Sequence, residues 1–338
     1  MTAVLPDPVA EATAAVMPAI EAALGELHPS LATVARYHRG TAAADGRPAA
    51  GGGGGKALRA TIAMLAAEAA GDASAGTAAA TAVELVHDFS LLHDDVMDGD
   101  RTRRGRPAAW VVFGAGRAVL AGDALLVLAC RVLASCGSGR AARAVDTLMD
   151  ATAELIDGQA RDLALEGAER ATVDDTLRMC AGKTGALLGC SAGLGALLGG
   201  GSPAVVDALA GFGRHLGIAF QARDDILGIW GLEPVTGKPA YGDLRRRKRS
   251  LPVTFALAAA DGTAPALRRE LDAAPDGPEG QVERLALRLE HAGARRRTEE
   301  LAAQELAAAL DLLEGAAVPP GVRDRLESVA RFVTERDR

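Results

Sequence analysis

The chain has 338 residues, with 37 basic and 44 acidic side chains and a formal net charge of −7. That acidic surplus argues against general nucleic-acid binding, which needs a basic face. Cys130, Cys136, Cys180 and Cys190 form no C-x-x-C pair and no metal-ligand spacing, as suits a reducing cytosol.

Alanine and leucine dominate, β-branched runs are few, and no stretch alternates apolar with polar residues. An all-α protein is expected. No basic leader opens the chain, since the first basic residue is Arg36, so a cytoplasmic protein is expected. Residues 7–38 read as one or two amphipathic helices broken near His28-Pro29. A flexible Gly/Ala loop over 40–55 then delivers Gly55-Lys56-Ala57-Leu58-Arg59 to the next helix, with Lys56 and Arg59 one turn apart. This is not a nucleotide P-loop, because Ala50 and Ala57 stand where that motif needs Gly and Ser or Thr; Leu177 rules out the same reading at Gly182-Lys183-Thr184. Helices are expected over 57–70, 76–98 and about 117–135, the last interrupted at Gly122-Asp123.

The most informative stretch is 84–107, ELVHDFSLLHDDVMDGDRTRRGRP. On a helix, His87, Leu91, Asp94 and Asp98 share one face, and Asp95 lies about a quarter turn away. Carboxylates this close raise one another's pKa unless a cation holds them. Arg101, Arg103 and Arg104 follow at once. Most such clusters are solvated ion pairs. Here, however, the acids end an apolar helix, and a D-D-x-x-D array of hard oxygens suits Mg²⁺ shared with substrate phosphate. The arginines would grip that phosphate from the other side.

Further on, a helix over 141–166 carries Gly158-Gln159 and Asp162, either partners of a charged site or a buried hydrogen-bonded pair. Thr184 to Val206 has no charge, yet its seven glycines and Pro203 point to a buried core helix ending in a Gly-rich turn rather than a membrane span. A second acidic site follows in 212–230, where Gln221, Asp224 and Asp225 lie within about one turn and Gly228 stands where a second D-D-x-x-D would end. Next come a loop with Gly237-Lys238 and Asp243, the basic run 245–249 and a helix opened by Pro252. Residues 261–282 read as a surface connection and 283–338 as packing helices. Lysine occurs only at 56, 183, 238 and 248, three times directly after Gly. A compact ammonium where backbone can approach a ligand suits phosphate.

Taken in order from Lys56 to Lys248, these motifs resemble the polyprenyl diphosphate synthase family of short-chain trans-prenyltransferases, geranylgeranyl diphosphate synthases in particular. The resemblance rests on Gly55-Lys56-Ala57-Leu58-Arg59-Ala60, Asp94-Asp95-Val96-Met97-Asp98 with Arg103-Arg104-Gly105, Lys183-Thr184, Gln221-Ala222-Arg223-Asp224-Asp225, and Gly237-Lys238 with Asp243 and Lys248. It implies one large helical bundle around an apolar cavity, acting as a homodimer. The implied reaction is Mg²⁺-dependent condensation of isopentenyl diphosphate with an allylic diphosphate. By resemblance, Asp94, Asp98 and Asp224 hold three Mg²⁺, supported by Asp95 and Asp225. Arg103, Lys183, Lys238 and Lys248 contact the allylic diphosphate, while Lys56, Arg59, His87 and Arg104 bind that of isopentenyl diphosphate. Thr184 and Gln221, with Lys183, serve the developing allylic cation.

One departure is Gly228, which removes the third carboxylate of the second motif; the lost group is expected to lie outside direct metal contact. Phe89 and Ser90, five and four residues before Asp94, are the expected floor for the growing chain, in the pattern of C20 producers. The alternative product is C15 farnesyl diphosphate. Two further readings are a class I terpene cyclase, for which no N-D-x-x-S-x-x-x-E is present, and a silent partner subunit, against which both aspartate pairs stand.

Overall fold

The computed structural model describes residues 7–49, 57–166, 168, 171–231, 240–259, 264–273 and 280–334. Its alanine- and leucine-rich segments are helical nearly throughout, as their propensities dictate. In chain order these are α1 (Asp7–Leu24), α2 (Pro29–Arg39), α3 (Leu58–Ala70), α4 (Gly76–Met97), α5 (Ala109–Phe113), α6 (Ala115–Ala134), α7 (Ala141–Glu166), α8 (Val173–Cys180), α9 (Ala186–Leu198) and α10 (Pro203–Trp230). Helices Gly242–Arg245, Leu251–Leu257, Ala264–Ala273, Gln281–His291, Ala294–Gly315 and Pro320–Thr334 complete them. Strand among the described residues is limited to a hairpin, β1 (Thr102–Arg103) with β2 (Arg106–Pro107).

Backbone contacts divide the chain into two compact units. The first comprises Met1–Thr152, Leu187–Gly213 and Leu313–Val329. At its centre α4 packs on α3 and α6, burying Ala79, Ala82, Val83, Leu85, Val86 and Leu92. A helix that is apolar on most sides belongs in a core. The break at His28-Pro29 falls as expected, with Pro29 opening α2 and the His28 ring accepting from the Ser30 N–H. The interruption expected at Gly122-Asp123 does not occur: α6 runs straight through. Gly122 is there for space, since a Cβ would overlap the His93 ring. The glycines of α9 act alike, because Gly195 and Gly199 lie against the backbone of Ala63 and Ala67 in α3. Arg140 closes the carboxyl end of α9 by donating to the Leu197 carbonyl at 2.7 Å. No helix among the described residues is long and apolar enough to cross a membrane.

The second unit comprises Ala153–Ala186, Arg214–Leu312 and Ala330–Arg338. A reciprocal capping box between Thr172 and Asp175 starts α8. The chain then passes through one π-helical segment, Ala181–Gly185. The core of this unit gathers Ile229, Leu244, Val253, Leu267, Leu271, Leu285 and Leu289. Leu267 and Leu271 correct the surface connection expected over 261–282: Ala264–Ala273 is a helix that buries both. Their i, i+4 spacing supplies an apolar stripe that the flanking Pro, Gly and Asp residues obscure.

Candidate active site

The acidic end of α4 separates its carboxylates by exposure. Asp98, one turn after Asp94, stands exposed at the helix end, and its N–H donates to the Asp94 carbonyl at 2.8 Å. Asp95 is 1 % exposed and takes the Arg103 guanidinium, with Nε at 2.9 Å. Burial raises the Asp95 pKa and Arg103 opposes that rise. Asp95 Oδ2 keeps no hydrogen-bond partner among the described residues. Arg103 reaches Asp95 because β1 and β2 are joined by Arg104-Gly105, both at positive φ (54° and 72°), which suits a tight two-residue hairpin turn. The hairpin is tied to α2: Tyr37 Oη donates to the Pro107 carbonyl at 2.9 Å, and Arg104 Nη1 to that of His38 at 3.0 Å. Arg101 lies over the Trp110 ring instead, 5.6 Å from its centroid.

Within the same unit, α2, α3 and α4 share a buried set of charges. Arg39 pairs with Asp88, their side chains only 6 % and 2 % exposed. Glu84, one turn earlier on α4, accepts from the Ala60 N–H at 3.2 Å. Burial pushes its carboxyl above the usual range, against the pull of Arg39 and Arg59. Burial also drives His87 well below the ordinary imidazole value, with Arg59, Arg104, His38 and Arg39 adding to it. His87 is therefore neutral at pH 7. Glu84, Asp88, His38 and Arg39 escape a reading of the motifs alone; the signal was Glu84 and Asp88 one turn apart inside an otherwise apolar helix.

In the second unit, Asp224 is exposed and Asp225 is 1 % exposed. A chain of hydrogen bonds holds Asp225. Thr184 Oγ1 donates to Gln221 Oε1 at 2.7 Å, Gln221 Nε2 donates to Asp225 Oδ1 at 2.8 Å, and the Leu251 N–H donates to Asp225 Oδ2 at 2.9 Å. Burial lifts Asp225 to about 6, with Lys248 pulling the other way. For Lys248, burial works against the charge, but Asp243 and Asp225 outweigh it and raise its pKa. Lys183 Nζ donates to Asp162 Oδ2 at 2.6 Å, which makes Asp162 the partner of a charged site. The π segment that carries Lys183 and Thr184 sits directly on α7 at Gly158, where a Cβ would strike the Lys183 backbone. Single π turns often mark functional positions, and here one re-aims two site residues.

Gly228 acquires a physical reason. A Cβ there would come well inside 3.0 Å of Asp243 Oδ2. The carboxylate of Asp243 fills the space that a third side chain of the second motif would need. Phe89, 6 % exposed, meets His93 edge-on at 4.8 Å, and Ser90 Oγ donates to the His87 carbonyl at 2.9 Å. Lys56 and Lys238, with Gly55 and Gly237, lie outside the described residues.

The donor set fits Mg²⁺. Among the described residues no three His, Cys, Asp or Glu side chains are grouped to cage a metal. Magnesium needs no cage, since it binds through one or two carboxylates and completes its shell with water and substrate phosphate oxygens. The hard oxygens of Asp94, Asp98 and Asp224, and the unpartnered Asp95 Oδ2, are of that kind.

An almost wholly helical fold, with an aspartate pair ending α4 and another in α10, defines a class of enzymes acting on diphosphates. The polyprenyl synthetase family model matches residues 50–286. The chain is 44 % identical over 308 residues to a geranylgeranyl diphosphate synthase of Mycobacterium tuberculosis, covering 90 % of this chain and 86 % of the relative. It is 39 % identical over 325 residues to a (2E,6E)-farnesyl diphosphate synthase of the same species, covering 95 % and 90 %. A crystal structure of a polyprenyl synthetase from Streptomyces coelicolor A3(2) superposes with a TM-score of 0.93 at 43 % identity, covering 98 % of this chain and 99 % of that one. The chain belongs to the polyprenyl synthetase family and is a short-chain prenyl diphosphate synthase, a prenyltransferase.

Proposed function

We propose that this enzyme condenses isopentenyl diphosphate with an allylic diphosphate to make geranylgeranyl diphosphate, C20, in the cytoplasm. The observation that carries the reading is the placing of the aspartates. Asp98 and Asp224 are exposed, Asp94 is 9 % exposed one turn before Asp98, and both oxygens of Asp225 are held by protein donors, so Asp94, Asp98 and Asp224 are the carboxylates that would hold Mg²⁺. When bound, the metal supplies charge neutralisation at the leaving diphosphate.

The chain's own residues account for the rest. Arg103, Lys183, Lys238 and Lys248 receive the charge that grows on the allylic diphosphate as its C–O bond breaks. Asp162 orients the Lys183 ammonium for that task. Thr184 commits its hydrogen to Gln221, so the oxygen lone pairs of both remain for the allylic cation. Lys56, Arg59, Arg104 and neutral His87 hold the second diphosphate. A neutral imidazole donates one N–H there without another charge. The allylic cation needs apolar, water-poor surroundings, because water would quench it. The double bond of isopentenyl diphosphate then attacks, and the released diphosphate takes the proton.

C20 specificity is supported by Phe89, whose buried ring is braced edge-on by His93 one turn below Asp94. Product masses from assays with Mg²⁺, isopentenyl diphosphate and each allylic starter test the proposal. Geranylgeranyl diphosphate from farnesyl diphosphate is the expected product. Termination at C15 makes the enzyme a farnesyl diphosphate synthase, a hydrocarbon product makes it a cyclase, and no turnover makes it a silent subunit.

A further inference from the structure

The last turn of α2 holds a buried group that the described protein leaves unsatisfied. His38 is 5 % exposed, and neither of its ring nitrogens has a hydrogen-bond partner among the described residues. Buried polar atoms are nearly always paired, so two orphaned nitrogens on one ring call for a partner from outside. The residue lines a cleft with Tyr37, Gly40, Arg103, Arg104 and Arg106, and the lining contains no carboxylate. Arg103 is paired with Asp95 outside the lining, so Arg104 and Arg106 are the guanidinium groups that favour an anion there. At about 20 Å³ the cleft admits a group the size of one oxygen.

The surroundings suit a phosphoryl oxygen. Burial draws the His38 pKa down to about 4, Asp88 opposing it and Arg104, Arg103 and Arg39 assisting, so the ring is neutral at pH 7. It offers one N–H and one lone pair without adding charge to an arginine-rich wall. A helix carboxyl end would by itself repel an anion. Here Arg104 covers the His38 carbonyl, and the Gly40 N–H covers that of Tyr37 at 2.9 Å. Arg103 is committed to Asp95, and Arg106 to the Ala42 carbonyl and the Tyr37 ring. Arg104 spends one of its five N–H donors on His38.

We infer that His38 is a further substrate-binding residue, whose ring N–H donates to a phosphoryl oxygen of isopentenyl diphosphate beside Arg104. This rests on the proposed placing of that substrate at Arg59, His87 and Arg104. The arginine and the histidine act as one unit, since the same residue that offers its ring to the ligand also fixes the guanidinium through its carbonyl.

The test compares full-length wild-type enzyme with His38→Ala and His38→Asn. KM is measured separately for isopentenyl diphosphate and for farnesyl diphosphate, and calorimetry gives Kd for isopentenyl diphosphate alone and for inorganic diphosphate. His38→Ala is expected to weaken isopentenyl diphosphate roughly 10-fold or more, the effect of one lost hydrogen bond to a charged group. The KM for farnesyl diphosphate stays within about twofold, and Asn restores most of the loss through its amide N–H. A His38→Ala enzyme that melts like the wild type and keeps its affinity for isopentenyl diphosphate overturns the inference. So does an equal loss on both substrates, which marks a structural role, or a loss confined to inorganic diphosphate, which marks a free-anion site. Should the Ala variant not fold, the wild type decides: the His38 ring resonances must move when isopentenyl diphosphate is added, and unmoved resonances overturn the inference. A wild type that cannot condense isopentenyl diphosphate defeats the proposed function instead, so the two failures are told apart.

Discussion

Gly228 shows how one residue's absence is explained by another's presence. Asp243 occupies the space beside it, next to Lys248 and Asp225. Restoring the acid with Gly228→Asp is therefore expected to harm the enzyme: its Cβ displaces the Asp243 carboxylate, at about 1–3 kcal/mol as for other overpacked sites. Thermal melting, together with kcat/KM titrated against Mg²⁺, reads this; a Gly228→Asp enzyme with unchanged melting and activity refutes the steric account. Phe89 makes a prediction in the opposite sense. Phe89→Ala removes the ring that His93 braces, and the main product should lengthen past C20 by mass spectrometry; an unchanged product discards Phe89 as the floor. At the Arg39–Asp88 pair, Asp88→Asn leaves a buried guanidinium without its closest counter-charge and should cost about 3–5 kcal/mol in denaturant unfolding. A loss below about 1 kcal/mol would show that Glu84 replaces Asp88 as the partner of Arg39.

The π segment Ala181–Gly185 is the element on which the site residues of the second unit depend. It carries Lys183 toward Asp162 and Thr184 toward Gln221, and it lies so close to α7 that Gly158 has no room for a side chain. Gly158→Ala should push α7 away and turn both residues out of register. We expect kcat to fall at least about 10-fold, the scale of one misplaced charge-stabilising group, alongside a lower melting temperature. Wild-type kcat in this variant would show that the close approach serves no purpose. The hairpin does the same for the first unit. Its positive-φ turn at Arg104-Gly105 brings Arg103 to Asp95 and Arg104 to the end of α2.

At the scale of the molecule, acid sensitivity has a definite sign. His38 and His87 have folded pKa values below the ordinary 6.5, so the unfolded chain binds their protons more readily. Their contribution to stability is complete above pH 6.5 and is lost as pH falls below it, in the case of His38 down to about 4. Melting temperature measured from pH 7 to pH 4 should drop, and His38→Asn should flatten part of that drop; an identical slope in the variant would deny His38 its depressed pKa. The resemblance implies a homodimer, and α6 leaves Val119, Leu120 and Val127 exposed as a face that can be tested for it. Leu120→Arg with Val127→Arg should yield monomers in sedimentation, and a persistent dimer would place the interface elsewhere.

Much of this was legible in the chain as written. Helical class follows from alanine and leucine content, and the order of D-D-x-x-D, Lys-Thr and Q-x-x-D-D identifies the chemistry, because charge placed on an apolar helix is visible in one dimension. Spacing along a helix also put Asp94 and Asp98 one turn apart. What needed the third dimension is every choice made by packing between segments distant in sequence. That Gly122 serves His93 rather than breaking α6, that Asp243 fills the place beside Gly228, that Asp162 belongs to Lys183, and that the buried His38 ring has no hydrogen-bond partner among the described residues all depend on which helix lies against which. Local propensity and period act over a few residues; burial and hydrogen-bond satisfaction are set by neighbours that only the folded chain brings together.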